Sequence, residues 1–548
     1  VYHLSAPNYY IMHRKIVKIE YLMHSNFPLN QQMLNMLAML LDTEILAKLI
    51  HCSMFIMSAI ILFLTAKKFF SIDIALLSSI VFYAIPMLAF NSWTCGNDAA
   101  LTFYFCLFLN AALNYLDSSD AKILAFCGLL AGACIAVKYT GIFSVSGLCA
   151  ILVLFIILKK EKLKIKLKKL FWFFIFLIMP MMPWLIKNYI FVNNPIYPFL
   201  YSIFGDYQLK EFGGGGNIMN TPLNIFTFSF KKIFLVFWDN TNNEPIGIIF
   251  ISLLPLIFLY LHKNKKLLIL FLGFIISYFL WFLGTPQFRY ILPCFAILSI
   301  LIAYSFSELS NKIKSLYLLM AVLVIINFFC YNTALYKNIK IADYYLAKEN
   351  KDEYLSKQRA LYPVPPYPAI KWINDNLADT ALILFIGESR PFYMQRKYIS
   401  YSVENNRQPL IEYLKKSNNS GEFYDLLKLK KITHFLVNYK EAIRVNKGYD
   451  TFYWDDKDRK IFKEFWDNHI KLLYFKKSVY VYEIVEKNSD QKVDNLLEIL
   501  SIYGWHNKIL YDYFYSKNMY LNLIDELEVY QDAGFDCAQQ IRYFKNQI

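Results

Sequence analysis

Residues 98–169 read DAALTFYFCLFLNAALNYLDSSDAKILAFCGLLAGACIAVKYTGIFSVSGLCAILVLFIILKKEKLKIKLKK. Three apolar runs, 98–116, 122–138 and 141–158, are separated by unlike gaps. The first gap, Asp117 to Asp120, is acidic with Lys122 beside it, and the second is Lys138-Tyr139-Thr140-Gly141. The third run ends in the lysine-rich stretch Lys159 to Lys169. Crossing a hydrocarbon core takes about 20 apolar residues at helical rise, so each run reads as a membrane-spanning helix.

The same pattern extends in both directions. Apolar runs at 44–65, 74–90, 170–190, 245–261, 267–284, 290–307 and 315–332 bring the expected number of spans to ten. Lysines cluster in alternate gaps: Lys67-Lys68, Lys159 to Lys169, Lys263 to Lys266, and Lys312 with Lys314. Basic loops stay on the cytoplasmic side, so this alternation sets the orientation, and the acidic gap at Asp117 is its one departure. Asp98, Lys138 and Arg289 fall in the intervening gaps, on the outer face.

The composition agrees. A chain of 548 residues with 57% apolar content and a mean hydropathy of +0.33 departs from soluble globular proteins. The net charge of +15 resides largely in loop lysines, which points to anionic lipid headgroups and not to nucleic acid. The nine cysteines form no CxxC pair, and most lie inside expected spans. The eight histidines form no HExxH or similar pattern, so no dedicated metal site is expected, and dependence on a divalent metal stays open.

The chain divides into four parts. Residues 1–43 form a first outer loop with an interfacial helix at Met33 to Leu41, too short to span. Residues 44–335 form the membrane domain. Its loop 191–244, with Asn194-Pro195, Tyr197-Pro198 and the run Gly213 to Gly216, is long enough to act as a lid or entrance. Residues 336–487 alternate helix and strand: a helix at 367–377, strands at 381–386, 397–401, 432–437 and 479–484, and helices at 408–416 and 422–430. They read as a small extracytoplasmic α/β domain. Residues 488–548 read as a helical tail. The span 44–65 must run inward to deliver Lys67-Lys68 to the cytoplasm, which places 1–43 outside. An outside N-terminal segment normally follows a span, so a further helix is expected upstream of Val1, the alternative being a short N-terminus translocated on its own.

The sparse outer charges are the candidate site. Asp98, after Asn97, is a carboxylate at a helix start, where capping and the helix dipole also favour it. As a site residue it binds an acceptor hydroxyl or orients the group that deprotonates it. Lys138 and Arg289, with Lys187 at the end of its span, supply cations for a phosphate at the bilayer surface, Arg289 as a planar fork and the lysines as point charges. Against this, Lys138 with Tyr139 is also what a snorkelling lysine and an interfacial tyrosine look like. Glu388, after a strand in the α/β domain, has two readings, a site residue or a solvated strand end, and its position favours the second.

Several segments resemble a known family. Tyr2-His3-Leu4-x-x-Pro7 and Ser25-Asn26-Phe27-Pro28 resemble the first outer loop of lipid-linked-sugar glycosyltransferases of the GT-C superfamily, in particular bacterial members akin to protein O-mannosyltransferases and the aminoarabinose transferase. Asn97-Asp98 stands at their second acidic position. Lys138-Tyr139-Thr140-Gly141 resembles their Lys-aromatic-x-Gly motif, and Pro183-Trp184 through Asn188-Tyr189, with Asn194-Pro195-x-Tyr197-Pro198, their fourth-loop signature. Gln287-x-Arg289-Tyr290-x-x-Pro293 is similar to their Arg-Tyr-x-x-Pro segment. Gln32 stands where a glutamate is frequent, and the family's main catalytic aspartate would fall upstream of Val1.

The resemblance implies an α-helical polytopic membrane protein of GT-C-like fold in the bacterial cytoplasmic (inner) membrane. It implies transfer of a sugar from a polyprenyl-phosphate donor to an acceptor hydroxyl on a glycan, lipid or protein at the extracytoplasmic face, with inversion. Asp98 would assist the upstream base. Lys138, Arg289, Lys187, Tyr139 and Tyr290 would hold the donor, and Tyr2, His3, Asn97 and Gln287 would line the acceptor and loop side. The competing readings are a transporter or flippase of a lipid-linked precursor and an inactive relative with an assembly role. Transporters place ionisable residues near mid-membrane and show repeats, and neither is evident here.

Overall fold

A computed structural model describes residues 2–204, 248–487 and 538–546, apart from Trp93, 285–286, 360–361, 363, 402–407, 450 and 453, together with Ile524 and Leu527. Most of the loop 191–244, including Gly213 to Gly216, and most of the tail 488–548 lie outside the described residues.

Among the described residues the ten apolar stretches are largely helical, and six helices are long and apolar enough to cross a membrane: Glu44–Phe69, Asp98–Ser118, Gly141–Leu158, Leu163–Val192, Lys265–Leu283 and Phe288–Ser310. The stretch 74–90 is not one rod. It breaks into Ile72–Tyr83 and Pro86–Ser92, because Pro86 cannot continue the hydrogen-bond ladder of the preceding turn. Ala121–Val137 is shorter than a full span and mostly buried, enclosed by Asp98–Ser118 and Leu163–Ile178. Ser252–Lys263 and Leu316–Phe329 are likewise short.

The caps follow from sequence. Thr43 accepts a hydrogen bond from the Ile45 N–H, with Glu44 in the first turn and Lys67 and Lys68 in the last, so side chains complement both ends of the helix dipole. Asp120 caps Ala121–Val137 in the same way. Phe288–Ser310 is the bundle's centre, with most of its residues buried, whereas Leu163–Val192 is mostly uncovered and turns Phe171, Trp172, Phe174 and Ile175 outward, as a lipid-facing helix does.

Small residues set the closest approach of helices. A Cβ on Gly147 would collide with the Gly273 carbonyl, so Gly141–Leu158 and Lys265–Leu283 cross with their backbones touching. Ser277 fastens the crossing: its hydroxyl donates to the Ser144 carbonyl at 3.0 Å and accepts from the Gly147 N–H at 3.0 Å.

Charges sort to the two ends of the bundle. At one end Lys266 meets Asp117 at 2.7 Å, Lys263 meets Glu308 at 2.5 Å, Lys169 meets Glu161 at 2.8 Å, and Lys68 donates to Asn114. The acidic gap that broke the lysine pattern thus sits among lysines from another gap. At the other end are Glu44, Asp98, Lys138 and Arg289.

The first 43 residues fold over that second end. Helix α1, Tyr2–His13, packs on α2, Asn30–Leu41. Helix α2 buries Gln31, Gln32 and Asn35 and exposes Leu37, Leu40 and Leu41. A helix with its polar face inward and its leucines outward suits a membrane surface.

The C-terminal domain is a mixed five-stranded sheet: β1 Leu382–Ile386, β2 Lys397–Ile399, β3 His434–Asn438, β4 Ile470–Lys476 and β5 Val479–Ile484, in the order β2-β1-β3-β5-β4. The first three strands are parallel, and β5 and β4 are antiparallel additions. Helices including Ser420–Leu429 and Asp456–His469 bury Phe423, Phe462 and Phe465 against it. At the far C-terminus, Ile541 and Phe544 of Ala538–Lys545 join this core.

Glu388 corrects the sequence reading of a solvated strand end. It is wholly buried and grips Arg390 through two contacts of 2.7 Å, while Asn438 donates to it at 2.8 Å. The loop it anchors reaches the first segment and the helix after it. Asn8 donates to the Phe392 carbonyl at 3.2 Å, and Glu44, at the start of Glu44–Phe69, accepts from the Tyr393 hydroxyl at 3.2 Å and meets Lys351 at 2.7 Å.

Two substitutions test this architecture. Gly147→Leu should force the crossing apart at a cost of about 3 kcal/mol, read as loss of the monodisperse detergent-solubilised protein. Arg390→Ala should leave a buried carboxylate without its counter-charge, at about 3–5 kcal/mol. Limited proteolysis should then cut near the 387–394 loop, with Arg390→Lys intermediate.

Candidate active site

Asp98 opens Asp98–Ser118, and its neighbour Asn97 takes the N-cap position without capping through its side chain. Instead Asn97 accepts from the Gln32 amide at 2.7 Å and donates to the Val137 carbonyl at 3.2 Å. It therefore ties α2 to the end of Ala121–Val137, directly before Lys138. Gln32 also donates to Nδ1 of His3 at 2.9 Å. An imidazole that accepts there is neutral and carries its proton on Nε2. Burial, with Lys138 among the nearby positive charges, holds the His3 imidazole well below its ordinary pKa.

Lys138 ends Ala121–Val137, and its carbonyl accepts from the Gly141 N–H at 2.8 Å, closing the turn Lys138-Tyr139-Thr140-Gly141. A Cβ on Gly141 would come within 2.5 Å of the Cys134 carbonyl, so only glycine lets the next helix start this close. The turn aims the Lys138 ammonium at two partners. It lies 3.6 Å from Oδ1 of Asp98 and 4.1 Å from the centroid of the Tyr290 ring.

Arg289 lies against the same ring at 5.1 Å and donates to Oε1 of Gln287 at 3.1 Å and to the Tyr290 hydroxyl at 3.2 Å. Tyr290 is held in place by the Ser144 hydroxyl, which donates to its carbonyl at 3.2 Å. Asp98, Lys138, Tyr290, Arg289 and Gln287, drawn from three separate gaps, thus form one continuous chain of contacts. Asp98 is buried, and its Oδ1 accepts no hydrogen bond from the described residues. A buried carboxylate oxygen whose nearest cation stands beyond hydrogen-bond reach is placed to take a third group.

The remaining sequence candidates frame this chain. Tyr2 stacks on His24 at 4.5 Å, His24 meets Phe27 at 4.9 Å, Phe27 meets Tyr139 at 5.8 Å, and Tyr139 meets Phe199 at 5.3 Å. This aromatic arc joins α1 to the start of the long loop. Lys187 is buried, lies over the Trp184 ring at 5.4 Å, and donates to the Ser25 carbonyl. It fastens the first loop at the edge of the arc, apart from the contacts made by Lys138 and Arg289.

Sequence reasoning missed His51. It lies wholly buried in Glu44–Phe69, and its Nε2 accepts from the Ala99 N–H at 3.4 Å, which places it against the helix start that carries Asp98. Its signal was present, because an ionisable side chain within an apolar span is a functional flag in itself. Among the described residues no three His, Cys, Asp or Glu side chains converge as metal ligands.

Residues 28–186, which carry Asn97, Asp98, Lys138 and Tyr139, match the family model of dolichyl-phosphate-mannose-protein mannosyltransferases. No curated protein matches the sequence. Among solved structures, the fold is similar to ArnT from Cupriavidus metallidurans in the apo state, with a TM-score of 0.56 and 12% identity over 88% of this chain and 92% of that one. The same protein bound to undecaprenyl phosphate gives 0.53 and 12%, over 89% and 94%. The oligosaccharyltransferase of Archaeoglobus fulgidus in complex with zinc and sulfate gives 0.53 and 12%, over 88% and 69%. At such identity the structures establish the fold, and the family model is a likeness confined to residues 28–186. The chain thus has the fold of ArnT and of the archaeal oligosaccharyltransferase, with several helices fit to cross a membrane, and its residues 28–186 are similar to the mannosyltransferase family.

Proposed function

We propose that the protein moves a sugar from a polyprenyl phosphate to an acceptor hydroxyl at the extracytoplasmic face of a bacterial cytoplasmic membrane. The observation that carries this reading is the placement of Lys138 between the Asp98 carboxylate and the Tyr290 ring, with Arg289 on the same ring. The undecaprenyl phosphate bound to ArnT supports the donor class. The lysine-rich gaps at the opposite end of the bundle support the orientation.

In the reaction the acceptor oxygen attacks the anomeric carbon while its proton passes to a carboxylate. The bond from that carbon to the phosphate oxygen breaks, and polyprenyl phosphate departs with the electron pair. Attack from the side opposite the leaving group, with no covalent intermediate, inverts the centre, by analogy with inverting glycosidases. Asp98 orients the acceptor or the base that deprotonates it. Lys138 and Arg289 stand fixed where negative charge grows on the phosphate, the arrangement that stabilises such a transition state most. Lys138 couples the two halves, because its ammonium can follow the charge from Asp98 toward the departing phosphate. Tyr139 and Tyr290 flank the donor, Lys187 keeps the first loop closed, and Tyr2, His3, Asn97 and Gln287 form the acceptor side.

Transfer of labelled sugar from polyprenyl-phosphate donors, by the full-length protein in proteoliposomes supplied with a membrane-extract acceptor pool, tests the reading. Asp98→Asn should lower the rate by about a hundredfold or more. Lys138→Ala should lose a similar factor, with Lys138→Arg recovering part of it, and Arg289→Ala should chiefly weaken the donor. Wild-type transfer in both Asp98→Asn and Lys138→Ala would sink the assignment. Movement of the intact lipid-linked sugar between leaflets without transfer would sink the reaction itself.

A further inference from the structure

A groove of about 720 Å³ runs between the first segment and the C-terminal domain, outside the contacts that hold Asp98, Lys138 and Arg289. That volume lies within the range of pockets that enclose drug-sized ligands. Tyr9 and Tyr21 line one wall, and Lys397 and Tyr398 of the edge strand β2, with Tyr413, line the other. Tyr9 meets Tyr21 at 6.3 Å and 85°, and Tyr398 at 5.9 Å and 77°, so the rings are fixed in crossed orientations. The charges along the groove are of both signs, with Lys18, Lys397 and Lys430 against Glu20 and Glu412.

This chemistry selects among ligands. Aromatic faces are electron-rich and receive the C–H face of a sugar ring, while tyrosine hydroxyls and charges of both signs bond to its hydroxyl rim. Mixed charge gives little field to attract a polyanion. An extended peptide adding to the sheet edge fits less well. Strand β2 has three residues, one of them lysine, and the Tyr21 hydroxyl donates to the Tyr398 carbonyl at 3.4 Å. Short, charged and covered edges resist strand addition.

Helix α1 links the groove to the site. Met12 and Tyr9 line the groove, and His3, nearer the other end of the same helix, joins Gln32 and Asn97. At 1.5 Å per residue, Met12 and His3 are about 14 Å apart along the axis, the length of a short oligosaccharide.

We propose that this groove binds the acceptor as an uncharged, hydroxyl-rich glycan chain laid along α1, with its leading hydroxyl delivered toward Asp98. The role as acceptor rests on the function proposed above, whereas glycan binding in the groove is measurable without it.

The test uses the full-length protein in nanodiscs with fluorescently labelled neutral gluco-, manno- and galacto-oligosaccharides, a labelled peptide pool of matched length, and polyprenyl phosphate titrated separately. At least one neutral oligosaccharide series should be retained. Tyr9→Ala should weaken it about tenfold, and Lys397→Ala with Lys430→Ala, both exposed and safe for folding, should weaken it several-fold. Polyprenyl phosphate binding should be unchanged in the lysine double variant. Retention of the peptides alone, of no neutral oligosaccharide, or of an oligosaccharide equally by wild type and both variants would overturn the groove assignment. If the groove assignment fails alone, Asp98-dependent sugar transfer persists. If the donor reading fails alone, glycan retention sensitive to Tyr9 persists without transfer.

Discussion

Lys138 holds a position that an ammonium occupies only when its surroundings require it. It caps a helix made largely of small and apolar residues, with a carboxylate on one side and an aromatic face on the other. Burying either charge alone costs several kcal/mol, roughly, so Asp98 and Lys138 stabilise each other's presence at the end of the bundle. Around this pair three elements must arrive together: the start of Asp98–Ser118, the end of Ala121–Val137, and the Phe288–Ile291 turn carrying Arg289 and Tyr290. The tight crossing at Gly147 and Gly273 matters here, because Ser277 there also holds the Ser144 carbonyl, and the Ser144 hydroxyl holds the Tyr290 backbone. Packing in the middle of the bundle is thereby transmitted to the orientation of a ring at its end.

Much of this was legible in the chain. Apolar run length disclosed the helices fit to cross a membrane, since it is a property of single segments facing a bilayer. The gaps at Asp98, Lys138 and Arg289 stood out because charge is rare on that face, and the structure joins them. What failed were features that only packing decides. Ala121–Val137 could be short because its neighbours cover it, and the sequence alone does not say which helix is covered. The acidic gap at Asp117 was an anomaly until Lys266 arrived from about 150 residues away.

The α/β domain shows the same division. Strand β5 was readable from the alternation in Val479–Ile484, and β1 from its continuous apolar run. Strand β4 was not, because it follows the helix Asp456–His469 without a break. Its turn to β5 uses Lys477 and Ser478, both at positive φ, where hairpin turns ordinarily advertise themselves with Asn or Gly. Glu388 was misread for a related reason. A carboxylate after a strand is normally solvated, whereas this one is held inside by Arg390, two residues on, and by Asn438 at the end of β3, a partner the local sequence does not disclose.

That burial bears on what the domain does. In an open α/β sheet the crevice at the carboxyl ends of parallel strands, where strand order reverses, is the usual ligand site. Here those ends belong to β1 and β3, and the crevice is occupied by the protein itself. Glu388, Arg390 and Asn438 fill it, and the loop beyond it presses on Ser5 and Tyr9 of α1, leaving a void of about 10 Å³. A sheet that spends its binding crevice on α1 fixes the helix that carries Tyr2 and His3. The first segment is therefore gripped from two directions, by the C-terminal domain through Asn8 and Tyr21, and by the membrane domain through Asn97 and Lys187. Helix α1 itself is held through Asn8 to the Phe392 carbonyl and through His3 to Gln32 of α2. The open ground left beside it is the edge of the sheet at β2, where the groove lies.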